Sequence, residues 1–335
     1  MMCCPNHDAV LLSVRGLKTY FDVAGMALKA VDGVSFDVRR GETFGIVGES
    51  GCGKSIAALS IMRLVRTPPG RYAGGEIRFG GRDILGMSDA EIHALRGREI
   101  SIIFQEPMTA LNPVFTIGNQ LEEVIRLHQR TTKKAARAIA LDWLKKVKLP
   151  NPVEVLRSYP FTLSGGMRQR VMIAAALASG PKLLIADEPT TALDVTIQAQ
   201  ILDLIRAMKD ETGVSCIFIT HDLGVISEMA DRVMVMYSGK VCEIAPTAEL
   251  MAHPLHPYTS LLINSRPMAK GSTKRLVTIP GSVPSLRDKP PGCPFHPRCP
   301  NAQNRCASAF PPEYHAGSDH LLYCWNYAPG GVVHG

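Results

Sequence analysis

From Leu11 to Val38 apolar and polar positions alternate, most clearly at Leu12-Ser13-Val14 and again from Val31 to Val38. Period-two alternation marks strands with one buried face, and Gly25 supplies a turn between the two stretches. An antiparallel sheet is therefore expected ahead of residue 43. The pattern then changes. Thr43 to Val47, Leu183 to Ala186 and Val214 to Thr220 are nearly unbroken apolar runs of strand length, as strands covered on both faces require. Gly75 to Phe79 and Ile100 to Phe104 read as further short strands, the first turned by Gly80-Gly81. Ile56 to Met62 reads as a helix. Ile201, Leu204, Ile205 and Met208 fall at i, i+3, i+4 and i+7 of another, which Gly213 should stop. Ser88-Asp89-Ala90-Glu91 has the form of a capping box and opens a helix towards Leu95. Strands alternating with helices predict an α/β fold around a mostly parallel sheet. Ligands of such sheets sit beyond the carboxyl ends of the strands.

Two stretches depart from this alternation. Between residues 115 and 160, Ile117, Leu121, Val124 and Ile125 form a helical stripe, and Ala135 to Val147 is a second amphipathic run that Pro150 and Pro152 end. This section predicts an all-helical insertion. Beyond about residue 265 periodicity fades into a tail rich in proline that holds four of the nine cysteines. The chain thus divides into a domain over residues 1–265 and a Pro/Cys-rich module over 266–335. A length of 335 residues accommodates one large unit plus a small one. The net charge of +7 is dispersed; it suits an anionic membrane surface or nucleic acid and decides neither. No apolar run reaches the ~18 residues of a membrane span. The segment Met1-Met2-Cys3-Cys4-Pro5 shows no secretory signal, and Cys3 and Cys4 receive no role. Scattered cysteines argue for a reducing compartment rather than a disulfide scaffold.

The chemistry concentrates at strand ends. Gly48-Glu49-Ser50-Gly51-Cys52-Gly53-Lys54-Ser55 fits the phosphate-binding P-loop, G-x-x-x-x-G-K-[ST], and stands between a predicted strand and a predicted helix as that motif requires. Its glycines let backbone N–H groups converge on an anion, and the helix adds its positive end. Lys54 is expected to reach the β- and γ-phosphates and Ser55 to hold Mg2+. Asp187-Glu188 closes an apolar strand, so Asp187 is expected to bind Mg2+ and Glu188 to activate water as general base. Leu163-Ser164-Gly165-Gly166-Met167 opens a helix whose bare N-terminus is a second phosphate-binding device. Tyr20 could stack on a base or simply cover its sheet. Cys52 reads as a small filler whose place at a helix start could make it sensitive to alkylation.

Together these motifs resemble the ATP-binding subunits of ABC transporters. Gly48–Ser55 matches Walker A, Leu163–Met167 the LSGGQ-type signature with Met167 in place of Gln, and Leu184–Glu188 Walker B. Ala192-Leu193-Asp194 matches the D-loop, Gln105 the Q-loop glutamine and His221 the switch histidine. The resemblance spans roughly residues 10 to 265. It implies a P-loop NTPase of ABC type, with an antiparallel β subdomain, a helical insertion and a small Cys-rich C-terminal module. Tyr20 falls where the family stacks adenine. The resemblance also implies ATP held by Lys54, Ser55, Gln105 and Asp187, Mg2+ on Ser55, Gln105 and Asp187, and catalysis by Glu188 and His221. Ser164, Gly165 and Gly166 would touch the ATP of a second ATPase subunit in a head-to-tail dimer.

Finer features narrow the resemblance. Phe104 to Pro113, His256-Pro257-Tyr258-Thr259 and Gly292 to Pro300 are similar to the dipeptide, oligopeptide and nickel importers. That branch implies two transmembrane permease subunits, an external substrate-binding protein, no nucleic acid, and a place on the cytoplasmic face of the membrane. Di- and oligopeptides are the expected cargo; nickel or another small solute, or a soluble non-transport ATPase, are the alternatives. Cys293, Cys299, Cys306 and Cys324 are spaced C-x5-C-x6-C-x17-C, which by chemistry suits a structural zinc, an iron–sulfur cluster or free thiols. The resemblance implies a 4Fe–4S cluster on these four positions. His296, His315 and His320 nearby are expected at the surface.

Overall fold

The computed structural model describes residues 9–106, 110–191, 193–265 and 278–328. The chain forms two compact units that interleave in sequence. One holds residues 39–42 and 87–219, the other residues 10–38, 43–86 and 220 onward.

In the first unit the strands Ile100–Ile103, Leu183–Asp187 and Ser215–Ile219 pair in parallel, in that order. Every residue of the last two is buried, which is why they read as continuous apolar runs rather than alternations. Three helices form the expected insertion: Ile117–Gln129, Lys133–Lys146 and Pro152–Arg157. Thr116 and Thr132 cap the first two by accepting from amides three residues on. Ile117, Leu121 and Ile125 are buried as the stripe requires. Pro152 does more than end the preceding run. It occupies the first turn of the third helix, where its missing N–H costs nothing. The helix Val195–Thr212 buries Ile201, Leu204, Ile205 and Met208 and ends at Gly213 with φ +68°, the predicted stop.

In the second unit the strands Val10–Val23 and Met26–Arg39 lie in a four-stranded sheet with Gly70–Phe79 and Arg82–Asp83. Val10–Val23 pairs antiparallel with Gly70–Phe79, which starts five residues earlier than its apolar pattern suggested because its first half is glycine-rich and polar. Thr43–Val47, entirely buried, pairs in parallel with Arg232–Tyr237. Arg232–Tyr237 turns back through Ser238-Gly239 into Lys240–Pro246. Both turn residues have positive φ, as a tight hairpin twisting with its strands requires. Leu321–Leu322 adds a short antiparallel strand beside Glu243 and Ile244, tying the tail into this sheet.

Candidate active site

The buried strand Thr43–Val47 delivers the chain into Gly48–Gly53, and the helix Lys54–Ile61 leaves it. Two glycines are dictated by space. A Cβ on Gly48, at φ +154°, would strike the carbonyl oxygen of Met236, and one on Gly53, at φ +101°, would strike that of Ala30. No side chain caps the helix start. The Lys54 ammonium folds back to the loop, 2.8 Å from the Gly48 carbonyl and 3.3 Å from that of Glu49. Ser55 stands in the first turn, half-buried. Cys52 fits its reading as a small filler: its thiol is fully buried, and burial pushes it above the ordinary cysteine range despite nearby Lys54. The buried thiol is packing, not a reactive handle.

Tyr20 lies half-buried in the same unit. Its hydroxyl donates to Asp32 at 2.6 Å, and Lys240 also reaches Asp32 at 3.0 Å. Burial and that bond push the phenol up to about 12, so it stays protonated. Arg71 and Lys29 lie 5.4 and 5.8 Å from the ring centroid. His221 is exposed, one residue past Thr220, whose amide donates to Ile46 in the strand feeding the loop. Asp222 beside it caps the helix Leu223–Met229.

In the first unit, the strand Leu183–Asp187 ends in two buried carboxylates. Glu188 adopts φ +45°, a left-handed conformation rare outside glycine, and its amide donates to Ile219. Its carboxylate receives the Gln105 side-chain amide at 3.2 Å and the Thr191 hydroxyl at 2.9 Å. The structure thus brings together two of the predicted catalytic residues, Gln105 and Glu188. Thr191 was missed. Its signal was local, three residues beyond Glu188. Ser164 caps the helix Gly165–Leu177 by accepting from the Met167 amide. The helix start packs on the segment that follows Thr191: a Cβ on Gly166 would sit 2.7 Å from Ile197, and one on Gly165 3.5 Å from Leu193. Asp194 caps the next helix. Ala192 of the same motif, like Pro107, Met108 and Thr109 after Gln105 and Cys3 and Cys4 at the start, lies outside the described residues.

Residues 31–191 match the family described as "ABC transporter", and residues 242–306 the family described as "Oligopeptide/dipeptide transporter, C-terminal region". The dipeptide transport ATP-binding protein DppD of Bacillus subtilis is 49% identical over 315 residues, 94% of either chain. The chain belongs to the ABC transporter ATP-binding family. It is an ABC-type ATPase subunit coupled to transport. A probable peptide ABC transporter ATP-binding protein of Sinorhizobium fredii is 49% identical over 326 residues, 97% of each chain. Among solved structures, the ATP-binding cassette MJ0796, described as a dimeric post-hydrolysis state bound to ADP and Pi, superposes with a TM-score of 0.64 at 27% identity. That match covers 70% of this chain and 98% of the other.

The family's C-terminal region lies in the second unit with the phosphate loop. Cys293, Cys299, Cys306 and Cys324 line one small apolar pocket, with Phe295 and Trp325 among its walls. Burial, with smaller contributions from the neighbouring thiols, pushes Cys293 up to about 12 and Cys324 up to about 11. Four thiols are soft donors, but a raised thiol resists the deprotonation that metal ligation requires, so their burial opposes a bound ion. As placed, no three His, Cys, Asp or Glu side chains among the described residues are disposed to hold a metal. His320 corrects an expectation. It is 2% exposed, with its ring nitrogens on Glu243 and Glu249. His296 is half-buried and bonds to the Cys293 carbonyl, while His315 is exposed on Glu313. Among the described residues no helix is long and apolar enough to cross a membrane.

Proposed function

We propose that the chain powers a membrane importer of di- and oligopeptides by binding and hydrolysing ATP on the cytoplasmic face. Peptide cargo is supported by relatives named for dipeptide and oligopeptide transport, which align over more than nine-tenths of the chain. The ATPase chemistry rests on one observation above all. A buried strand ends at Asp187, and Glu188, the next residue, is held in an uncommon backbone conformation with its carboxylate against Gln105 and Thr191.

The expected roles follow. Backbone N–H groups of Gly48 to Ser55 and the Lys54 ammonium cradle the phosphates. To engage them, Lys54 exchanges its bonds with Gly48 and Glu49 for phosphate oxygens. Ser55, Gln105 and Asp187 would supply oxygen ligands of the kind Mg2+ takes, and bound Mg2+ would contribute charge to offset that of the phosphates. Glu188 accepts a proton from the attacking water, and His221 steadies the γ-phosphate. Tyr20 offers its ring to adenine. Ser164, Gly165 and Gly166 close over the nucleotide of a second ATPase subunit in a head-to-tail dimer, and two permease subunits receive the motion.

For the tail we assign Cys293, Cys299, Cys306 and Cys324 to a 4Fe–4S cluster, with zinc the competing ion. The shared pocket supports this; the spread of the thiols opposes it. Iron, sulfide and zinc analysis of anaerobically purified chain decides, and a chain holding none of them overturns the assignment. The transport reading is tested by co-purifying the chain with its permease partners and measuring ATP-dependent dipeptide uptake into sealed vesicles. Uptake of nickel with no peptide uptake would overturn the cargo.

A further inference from the structure

Glu49, the second residue of the phosphate loop, turns its carboxylate to the C-terminal region. Arg298 meets it with a two-pronged grip, Nη1 to Oε2 at 2.8 Å and Nη2 to Oε1 at 3.1 Å. The guanidinium is itself fixed. Its Nε donates to the Pro280 carbonyl at 2.8 Å, and Nη1 also donates to the Tyr237 hydroxyl at 3.1 Å. The Arg298 side chain is 6% exposed and that of Glu49 28%, so the pair is largely shielded from water. The Glu49 backbone is pinned as well: its amide donates to the Tyr258 hydroxyl at 3.0 Å. Tyr237, Tyr258 and Phe295 pack ring against ring, with centroids 4.8 to 5.2 Å apart, so both hydroxyls sit on a rigid aromatic base. The Glu49 carbonyl in turn accepts from the Lys54 ammonium at 3.3 Å, a bond that nucleotide would replace.

We propose that Arg298 is a positioning residue for the phosphate loop, acting by fixing Glu49 and with it the loop backbone, so that the C-terminal region sets nucleotide affinity. This rests on the nucleotide reading above. A loose loop pays an ordering cost each time it binds, and a bidentate charged pair removes that cost in advance. Arginine suits the task because its planar fork matches both carboxylate oxygens, whereas lysine offers a point charge. The clamp should therefore appear in nucleotide affinity more than in turnover.

The test uses the full chain, with MgATP affinity and steady-state hydrolysis measured for R298M, R298K, E49Q and the R298M/E49Q pair. R298M should weaken MgATP binding about tenfold, with a smaller change in kcat. R298K should recover part of the loss. The double variant should be no weaker than the weaker single variant, because both break one link. R305Q controls for general loosening of the tail. Arg305 bonds to Gln303 and the Trp325 carbonyl, away from the loop. It should lower the melting temperature and leave MgATP affinity unchanged. Unchanged affinity in R298M, or additive losses in the double variant, overturns the clamp. An equal affinity loss in R305Q does too. If R298M does not fold, R298K and E49Q decide by the same criteria. Failure of the unsubstituted chain to bind MgATP overturns the nucleotide reading itself, and the clamp with it.

Discussion

His320 stands between two carboxylates, its Nε2 2.8 Å from Glu243 and its Nδ1 2.7 Å from Glu249. Glu243 is fully buried and also receives the backbone amides of Leu255 and His256. The imidazole thus joins the tail to the strand Lys240–Pro246. The bond to Glu243, against the opposing effect of burial, raises His320 above the usual histidine range. Burial works to raise Glu243, but its bonds from His320 and the two amides win and hold it below the usual carboxylate range.

A pH dependence follows from these signs. The charged imidazole contributes stability that is complete below its unfolded value of about 6.5 and is lost as pH rises through its raised folded value. Glu243 contributes stability present above its unfolded value and lost as pH falls through its lowered folded value. Unfolding free energies from urea titrations should therefore decline as pH rises above about 6.5, by at most about 1.4 kcal/mol per unit for one proton. H320Q should flatten that decline and cost about 2 kcal/mol at pH 6. A native chain as stable at pH 9 as at pH 6 would show that the imidazole is not charged there.

On the proposed mechanism Glu188 is the general base of the chemical step. Replacing it by Gln keeps shape and a hydrogen-bonding side chain but removes the base. E188Q should bind MgATP within about twofold of the parent and hydrolyse it at least about 100-fold more slowly. Single-turnover assays separate this from slow product release. Because Thr191 orients the same carboxylate, T191A should lower kcat with little change in affinity, and wild-type turnover in T191A would refute that role.

Much of this site was legible from residues alone because each motif is local. The phosphate loop, Ser164 and Asp187-Glu188 each lie within eight positions and carry their own strand or helix signal. The rest depends on chain-distant partners. Arg298 and Glu49 are separated by 249 positions, and an arginine in a proline-rich tail carries no pattern that names its partner. His320 was expected at the surface because nothing periodic surrounds it. Its burial comes from the two-residue strand Leu321–Leu322, too short to show alternation. Cys52 was read as a small filler, which its full burial fits; burial also opposes the alkylation that its place at a helix start would favour.

The loop's glycines should fail unequally. Gly53 and Gly51 both have positive φ, at +101° and +78°, so alanine strains the backbone at either. A Cβ on Gly53 would also meet the Ala30 carbonyl, whereas nothing lies within 4 Å of one on Gly51. G51A should cost about 1 kcal/mol and G53A about 3 kcal/mol or more, read from urea midpoints. G53A should also abolish MgATP binding, since the helix start must move. Equal costs would mean the loop relaxes away from Ala30 without penalty.

Cys52 offers a check on the loop that needs no substitution. Its side chain has no exposed surface, and its thiol is held above the ordinary range by burial, only partly offset by Lys54. Alkylation requires an exposed thiolate, so reaction must wait for opening of the loop or of the fold. Peptide mapping after iodoacetamide should find Cys52 unmodified in the native chain and modified in urea. The protection factor should be at least about 100, corresponding to roughly 3 kcal/mol of opening free energy. Bound MgATP should raise it further, because a ligand that prefers the closed loop stabilises that state in proportion to its occupancy. Rapid native labelling that MgATP does not slow would mean that the loop opens freely.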